Sequence, residues 1–122
     1  MKAHPIAVPI RTESTLDWGS LSGRRPLVML FVSSVCRKSA ELTATLSGLA
    51  PDYQNRVNFL SLNINNRPDL AERFQVHSTP SLLVLLNGVI LFRAIGALPR
   101  IEVDSMIESA LRSAPLTLIR QA

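Results

Sequence analysis

Pro26-Leu27-Val28-Met29-Leu30-Phe31-Val32-Ser33-Ser34-Val35-Cys36-Arg37-Lys38-Ser39 decides the fold. Its first half is a nearly continuous apolar run. A strand with side chains on alternate faces needs such a run only where both faces are covered, so Pro26–Val32 reads as a central strand. Ser33 and Ser34 then offer oxygen acceptors for the first free amides of a helix. Beyond Val35 the apolar positions fall at Leu42, Leu46 and Leu49, a helical stripe that stops near Gly48 and Pro51. A buried strand thus runs straight into an amphipathic helix, with the only cysteine of the chain at the junction.

Working outward, Val57–Ile64 alternates apolar and polar residues and reads as a strand, and Pro68-Asp69 after Asn66 signals a helix with Leu70, Ala71 and Phe74 inward. Ser81–Leu86 and Val89–Ile95 are strands joined by Asn87-Gly88, a strong hairpin signal because both residues tolerate positive φ. Pro99 opens a last helix with Val103, Met106, Ile107, Ala110 and Leu111 inward. On the N-terminal side, Pro5–Ile10 is an edge strand weakened by Pro9. Ser14-Thr15-Leu16-Asp17 has the form of a capping box for a short helix ended by Gly19 and Gly23. The order is βαβαβαββα, which implies an α/β fold with a central mixed five-stranded sheet flanked by helices on both faces. One domain over residues 1–113 and a C-terminal tail over 114–122 are expected, with no repeat or linker.

Composition limits the function. With 122 residues, 47% apolar and 18% charged, the chain has material for one core and too little charge for disorder. Aromatics are only 5%, so aliphatic side chains must fill the interior. The net charge of +4 is scattered apart from Arg24-Arg25 and Arg37-Lys38, with no basic stripe interleaved with aromatics, so no nucleic-acid partner is expected. A single cysteine excludes an intrachain disulfide and a multi-cysteine metal site, and no metal or other cofactor is expected. The apolar stretch near the N-terminus is broken by Pro5 and Pro9, unlike a signal-peptide core, and runs such as Leu82–Leu86 are too short to cross a bilayer. The expectation is a cytoplasmic protein with no membrane partner.

Phe31–Ser39 resembles the active-site segment of thioredoxins, with Cys36 where that family carries its nucleophile. Four further segments line up in the same order. Ser61-Leu62-Asn63-Ile64-Asn65 is similar to the third strand and its exit. Ser78-Thr79-Pro80-Ser81 is similar to the segment with the family's cis-proline, Leu86-Asn87-Gly88 to its hairpin, and Ile95-Gly96-Ala97-Leu98 to the glycine loop beside the active site. The resemblance spans roughly residues 6 to 113 and implies the thioredoxin fold. Glutaredoxins share the cysteine–serine spacing but usually carry a paired-glycine, acidic glutathione motif, which is missing here. Several positions depart from the pattern: Ser39 replaces the resolving cysteine, Val35 the tryptophan before the nucleophile, Leu30 a buried acid, Ser61 its frequent lysine partner, and Ala44 a common helix proline. The fold is therefore implied, while the dithiol reductase mechanism is not.

The chemistry expected of Cys36 follows. A thiolate at a helix N-terminus is stabilised by free amides and the macrodipole. Arg37 and Lys38 add positive charge, and the Ser39 hydroxyl or amide is in sequence reach of the sulfur. The competing reading is a small buried core thiol. Without a second thiol, Cys36 can attack a disulfide but not release itself, leaving a mixed disulfide that waits for glutathione or another thiol. Isomerisation, deglutathionylation or covalent holding of a client fits this pattern. By resemblance Pro80 is cis, Thr79 offers backbone hydrogen bonds to an extended client, and Val35, Thr79, Pro80, Ile95, Gly96 and Ala97 border one apolar groove, with Arg37 and Lys38 beside it. Catalytic roles are thus expected for Cys36 and Ser39, and client contact for the rest. The partners expected are proteins with disulfides or exposed extended segments. The alternative is a non-catalytic binding module or holdase that presents the same groove. His77 reads as an exposed histidine before a strand, Asp17 and Glu41 as surface carboxylates, and Trp18 as packing on the sheet.

Overall fold

A computed structural model describes residues 10–11 and 25–121, with side chains described from Arg25 to Ser113. The expected first helix, with Asp17 and Trp18, and most of the expected first strand lie outside the described residues. β1 is the short Ile10–Arg11. The apolar run forms β2 (Leu27–Val32), followed by α1 (Arg37–Leu49), a 3₁₀ turn (Ala50–Tyr53), β3 (Asn58–Asn63), α2 (Pro68–Arg73), β4 (Ser81–Leu86), β5 (Val89–Ile95) and α3 (Arg100–Gln121). The backbone of α3 is helical well past Ser113, into the residues expected as a tail.

The sheet order is β1-β3-β2-β4-β5. β3 runs parallel to both β1 and β2, while β4 is antiparallel to β2 and β5, which makes the sheet mixed. β2 lies at the centre, between β3 and β4. Leu27–Phe31 and all six residues of β4 are buried, as a run covered on both faces requires. Alternate residues of β2 feed two cores. Val28 and Leu30 pack with Leu42 and Leu46 of α1 and with Val103, Ile107 and Ala110 of α3. Leu27, Met29 and Phe31 pack on the other face with Leu60, Leu62, Leu83 and Leu70 of α2, and Phe74 closes that core with its ring 6.1 Å from Phe31. Each fully buried aliphatic side chain of this kind contributes about 1.5–3 kcal/mol relative to exposure.

Two local features fix how the elements meet. Asn87 (φ 55°) and Gly88 (φ 78°) both take positive φ, the backbone of a tight hairpin matched to strand twist. Tyr53, at the end of the 3₁₀ turn, turns its hydroxyl to Asp104 Oδ1 at 2.9 Å and Glu108 Oε2 at 3.1 Å on α3. Burial first, and then the hydrogen bond and charge of Asp104 with those of Glu108, hold the Tyr53 phenol far above its ordinary value. Arg100 joins the same seam, reaching Asp52 at 2.9 Å and Asp104 at 3.4 Å.

Candidate functional site

The site forms where β2 stops and α1 starts. Sequence preference put the helix cap at Ser33 or Ser34; the cap is Cys36 itself, whose sulfur accepts the Ser39 amide at 3.4 Å. Ser33 has a different task. Its amide donates to the Ser39 hydroxyl at 3.2 Å, and its carbonyl accepts the Cys36 amide at 3.1 Å. Ser39 is 2% exposed, so this hydroxyl is a fixed part of the site.

The second wall comes from the segment before β4. The Cys36 thiol donates to the Thr79 carbonyl at 3.5 Å. The Thr79–Pro80 bond is cis. The Ser81 hydroxyl donates to the Ser78 carbonyl at 2.7 Å and closes the turn around that bond. The third wall is the loop after β5. Gly96 has φ +104°, which favours glycine, and its amide donates to the Pro80 carbonyl at 2.9 Å. The Cys36 loop is thus tied to the Thr79 segment through the sulfur, and that segment to the Gly96 loop through a backbone hydrogen bond.

The thiol is half-buried rather than sealed in the core. Its pKa is held below the free-thiol value by hydrogen bonds from the Ser39 hydroxyl first, then the Ser39 amide and the Thr79 side chain, against a smaller upward pull from burial. The charges of Arg37 and Lys38, expected to help, are not among those causes. Both side chains are exposed on the solvent side of α1, and Lys38 acts only through its backbone amide. Val35 is 90% exposed and Ile95 62%, two large apolar side chains left in water, one just before Cys36 and one at the end of β5. Gly96 and Ala97 are half-buried and Pro80 is buried. A pocket of about 370 Å³ runs from Cys36 back along α1, lined by Val32, Ser33, Ser34, Ser39, Ala40, Thr43 and Ala44. No sequence pattern pointed to it, because it owes its room to small side chains that otherwise read as ordinary helix surface. Leu30 is fully buried and registers directly against Ser61 of β3.

The thioredoxin family model matches residues 12–109. The chain belongs to the thioredoxin family. A thioredoxin of Staphylococcus saprophyticus is 29% identical over 106 residues, 87% of this chain and all of that one. One from Griffithsia pacifica is 22% identical over 93 residues, covering 76% and 85% of the two chains. Mitochondrial thioredoxin 3 of Saccharomyces cerevisiae superposes with a TM-score of 0.67 at 22% identity, over 75% of this chain and 86% of that one. Within this thioredoxin fold, the structure brings Cys36, Ser39, Thr79, Pro80 and Gly96 into one bonded set. Arg37 and Lys38 sit beside it on the open face of the helix. Among the described residues no group of three or more His, Cys, Asp or Glu is placed to hold a metal, and no helix is long and apolar enough to cross a membrane.

Proposed function

We propose that this thioredoxin-family protein works as a monothiol, forming mixed disulfides through Cys36. The observation that carries the reading is the half-buried sulfur at a helix cap, hydrogen-bonded by Ser39 and held in the thiolate-favouring direction, with a serine at the resolving position. The Cys36 thiolate attacks one sulfur of a client disulfide. The new S–S bond joins Cys36 to the client, and the electron pair of the broken bond leaves on the other client sulfur as a thiolate. Ser39 cannot repeat that attack, so an outside thiolate, from glutathione or a protein, attacks the mixed disulfide and returns Cys36 to its starting form. Thr79 would pair with the backbone of an extended client segment, and Val35, Pro80, Ile95, Gly96 and Ala97 would form the apolar border around it. Arg37 and Lys38 would face acidic parts of the client or the glutathione carboxylates. A reducing compartment such as the cytoplasm suits a lone working thiol.

The test is intact-mass analysis after mixing with a glutathionylated protein. A glutathione adduct on the native chain and none on Cys36→Ser is expected; a native chain that stays unmodified overturns the reading. A chain ending at Ser113 is expected to keep the reaction, with residues 1–113 as the working domain. A second reading, a binding module or holdase, rests on the exposed Val35 and Ile95. It predicts that Cys36→Ser still suppresses aggregation of an unfolding client.

A further inference from the structure

The Cys36–Thr79 contact implies more than a place to dock, and the inference rests on the site proposed above. In the free protein the thiol donates to the Thr79 carbonyl at 3.5 Å. Thr79 is half-buried, precedes β4, and its amide has no partner among the described residues. Its carbonyl accepts the thiol proton and is also the acceptor that an added client strand would need. When Cys36 ionises, that carbonyl loses its donor and faces an anion across the same gap, a lone-pair contact that opposes ionisation. A client backbone N–H placed on the carbonyl restores the donor and removes that opposition.

We propose that docking of an extended peptide on Thr79 and loss of the Cys36 proton are linked, each favouring the other, so that the thiol is switched toward its reactive form by the client it is about to attack. Reciprocity follows: if peptide favours the thiolate, the thiolate form binds peptide more tightly by the same factor. The other charged groups on the bordering segments are Arg37, Lys38 and Glu41 on α1 and His77 before Thr79, and the loop 96–99 carries none. His77 is the one imidazole among these groups, and His77→Gln is the background for the test.

The experiment titrates the ultraviolet absorbance of the Cys36 thiolate in the full-length His77→Gln chain, alone and saturated with an unstructured peptide that lacks Cys and Tyr. Binding of the same peptide is measured below and above the titration midpoint. The midpoint is expected to fall by roughly half a pH unit or more, and the peptide to bind the thiolate form about threefold tighter or more. A matching peptide with N-methylated backbone amides should bind without moving the midpoint. An unmoved midpoint with peptide bound, or equal affinity on both sides of it, overturns the linkage. Failure of the peptide to bind at all overturns it too. Mixed-disulfide formation with a glutathionylated protein is read separately, so the linkage can fail while the monothiol reading stands.

Discussion

Cys36 caps its own helix, and this single arrangement sets its reactivity. A sulfur that accepts an amide and faces a hydroxyl is stabilised as an anion, so its titration moves down from the free value of about 8.5. Thiolate is the attacking form, and a lowered pKa places more of it at neutral pH. Alkylation of Cys36 should therefore reach half its maximal rate at a lower pH than alkylation of the same sequence as a free peptide; coincident profiles would refute the assignment. Ser39→Ala removes the hydroxyl that heads the causes of the shift and should move the profile back up. It also leaves the Ser33 amide without its acceptor, costing about 1 kcal/mol in urea denaturation. Ser39→Cys restores a second thiol at a position that is 2% exposed. Burial raises the pKa of a thiol, and Leu30 supplies no nearby base, so the gain in disulfide reduction should be small at neutral pH and grow as pH rises. A gain that is flat with pH would show that the new thiol is not desolvated.

At the scale of elements, the strands were legible and the junctions less so. Ser81–Leu86 and Val89–Ile95 form the strands expected of them, because continuous burial, alternation and an Asn-Gly turn are local signals. The helix cap was not legible, since preferences for oxygen side chains pointed to Ser33 and Ser34, while geometry gave the role to a sulfur. Nor was the Tyr53 seam, whose partners lie 51 and 55 residues away and follow no periodicity. Tyr53→Phe keeps the ring and removes the hydroxyl between two carboxylates, so it should cost about 1.5–3 kcal/mol by denaturation, with Cys36 reactivity unchanged. Gly96 ties its loop to Pro80 at φ +104°, and an added Cβ meets nothing within 4 Å, so Gly96→Ala isolates the backbone cost. A loss of about 1–2 kcal/mol is expected, together with weaker peptide binding; unchanged stability would mean the loop relaxes freely.

Across the whole molecule, β2 is the wall between two cores, and Leu30 shows what this chain has done with that wall. It is fully buried, packed on the α1–α3 side, with Ser61 and Leu82 as its strand neighbours. In the thioredoxin pattern this position resembles one that holds a buried acid, with a lysine often at the position of Ser61. Here both are uncharged, and Leu30 gives the core an aliphatic contact at this position. Leu30→Asp tests the exchange. The new carboxyl has no cation across the sheet, and burial raises its folded-state pKa above the unfolded value of about 3.9. Below that value both states hold the proton and only the lost leucine packing remains, about 2–5 kcal/mol. As pH rises through the folded pKa, an unpaired buried charge adds its own penalty of about 3–5 kcal/mol. Against a total stability of about 5–15 kcal/mol, the variant should be folded but weakened near pH 4 and far weaker or unfolded at pH 7. Urea denaturation at the two pH values measures this directly. Adding Ser61→Lys places a cation in register with the new acid and should recover stability chiefly at pH 7, where the acid is charged. A deficit equal at both pH values, untouched by the lysine, would show that position 30 reaches water and that the wall between the cores is open.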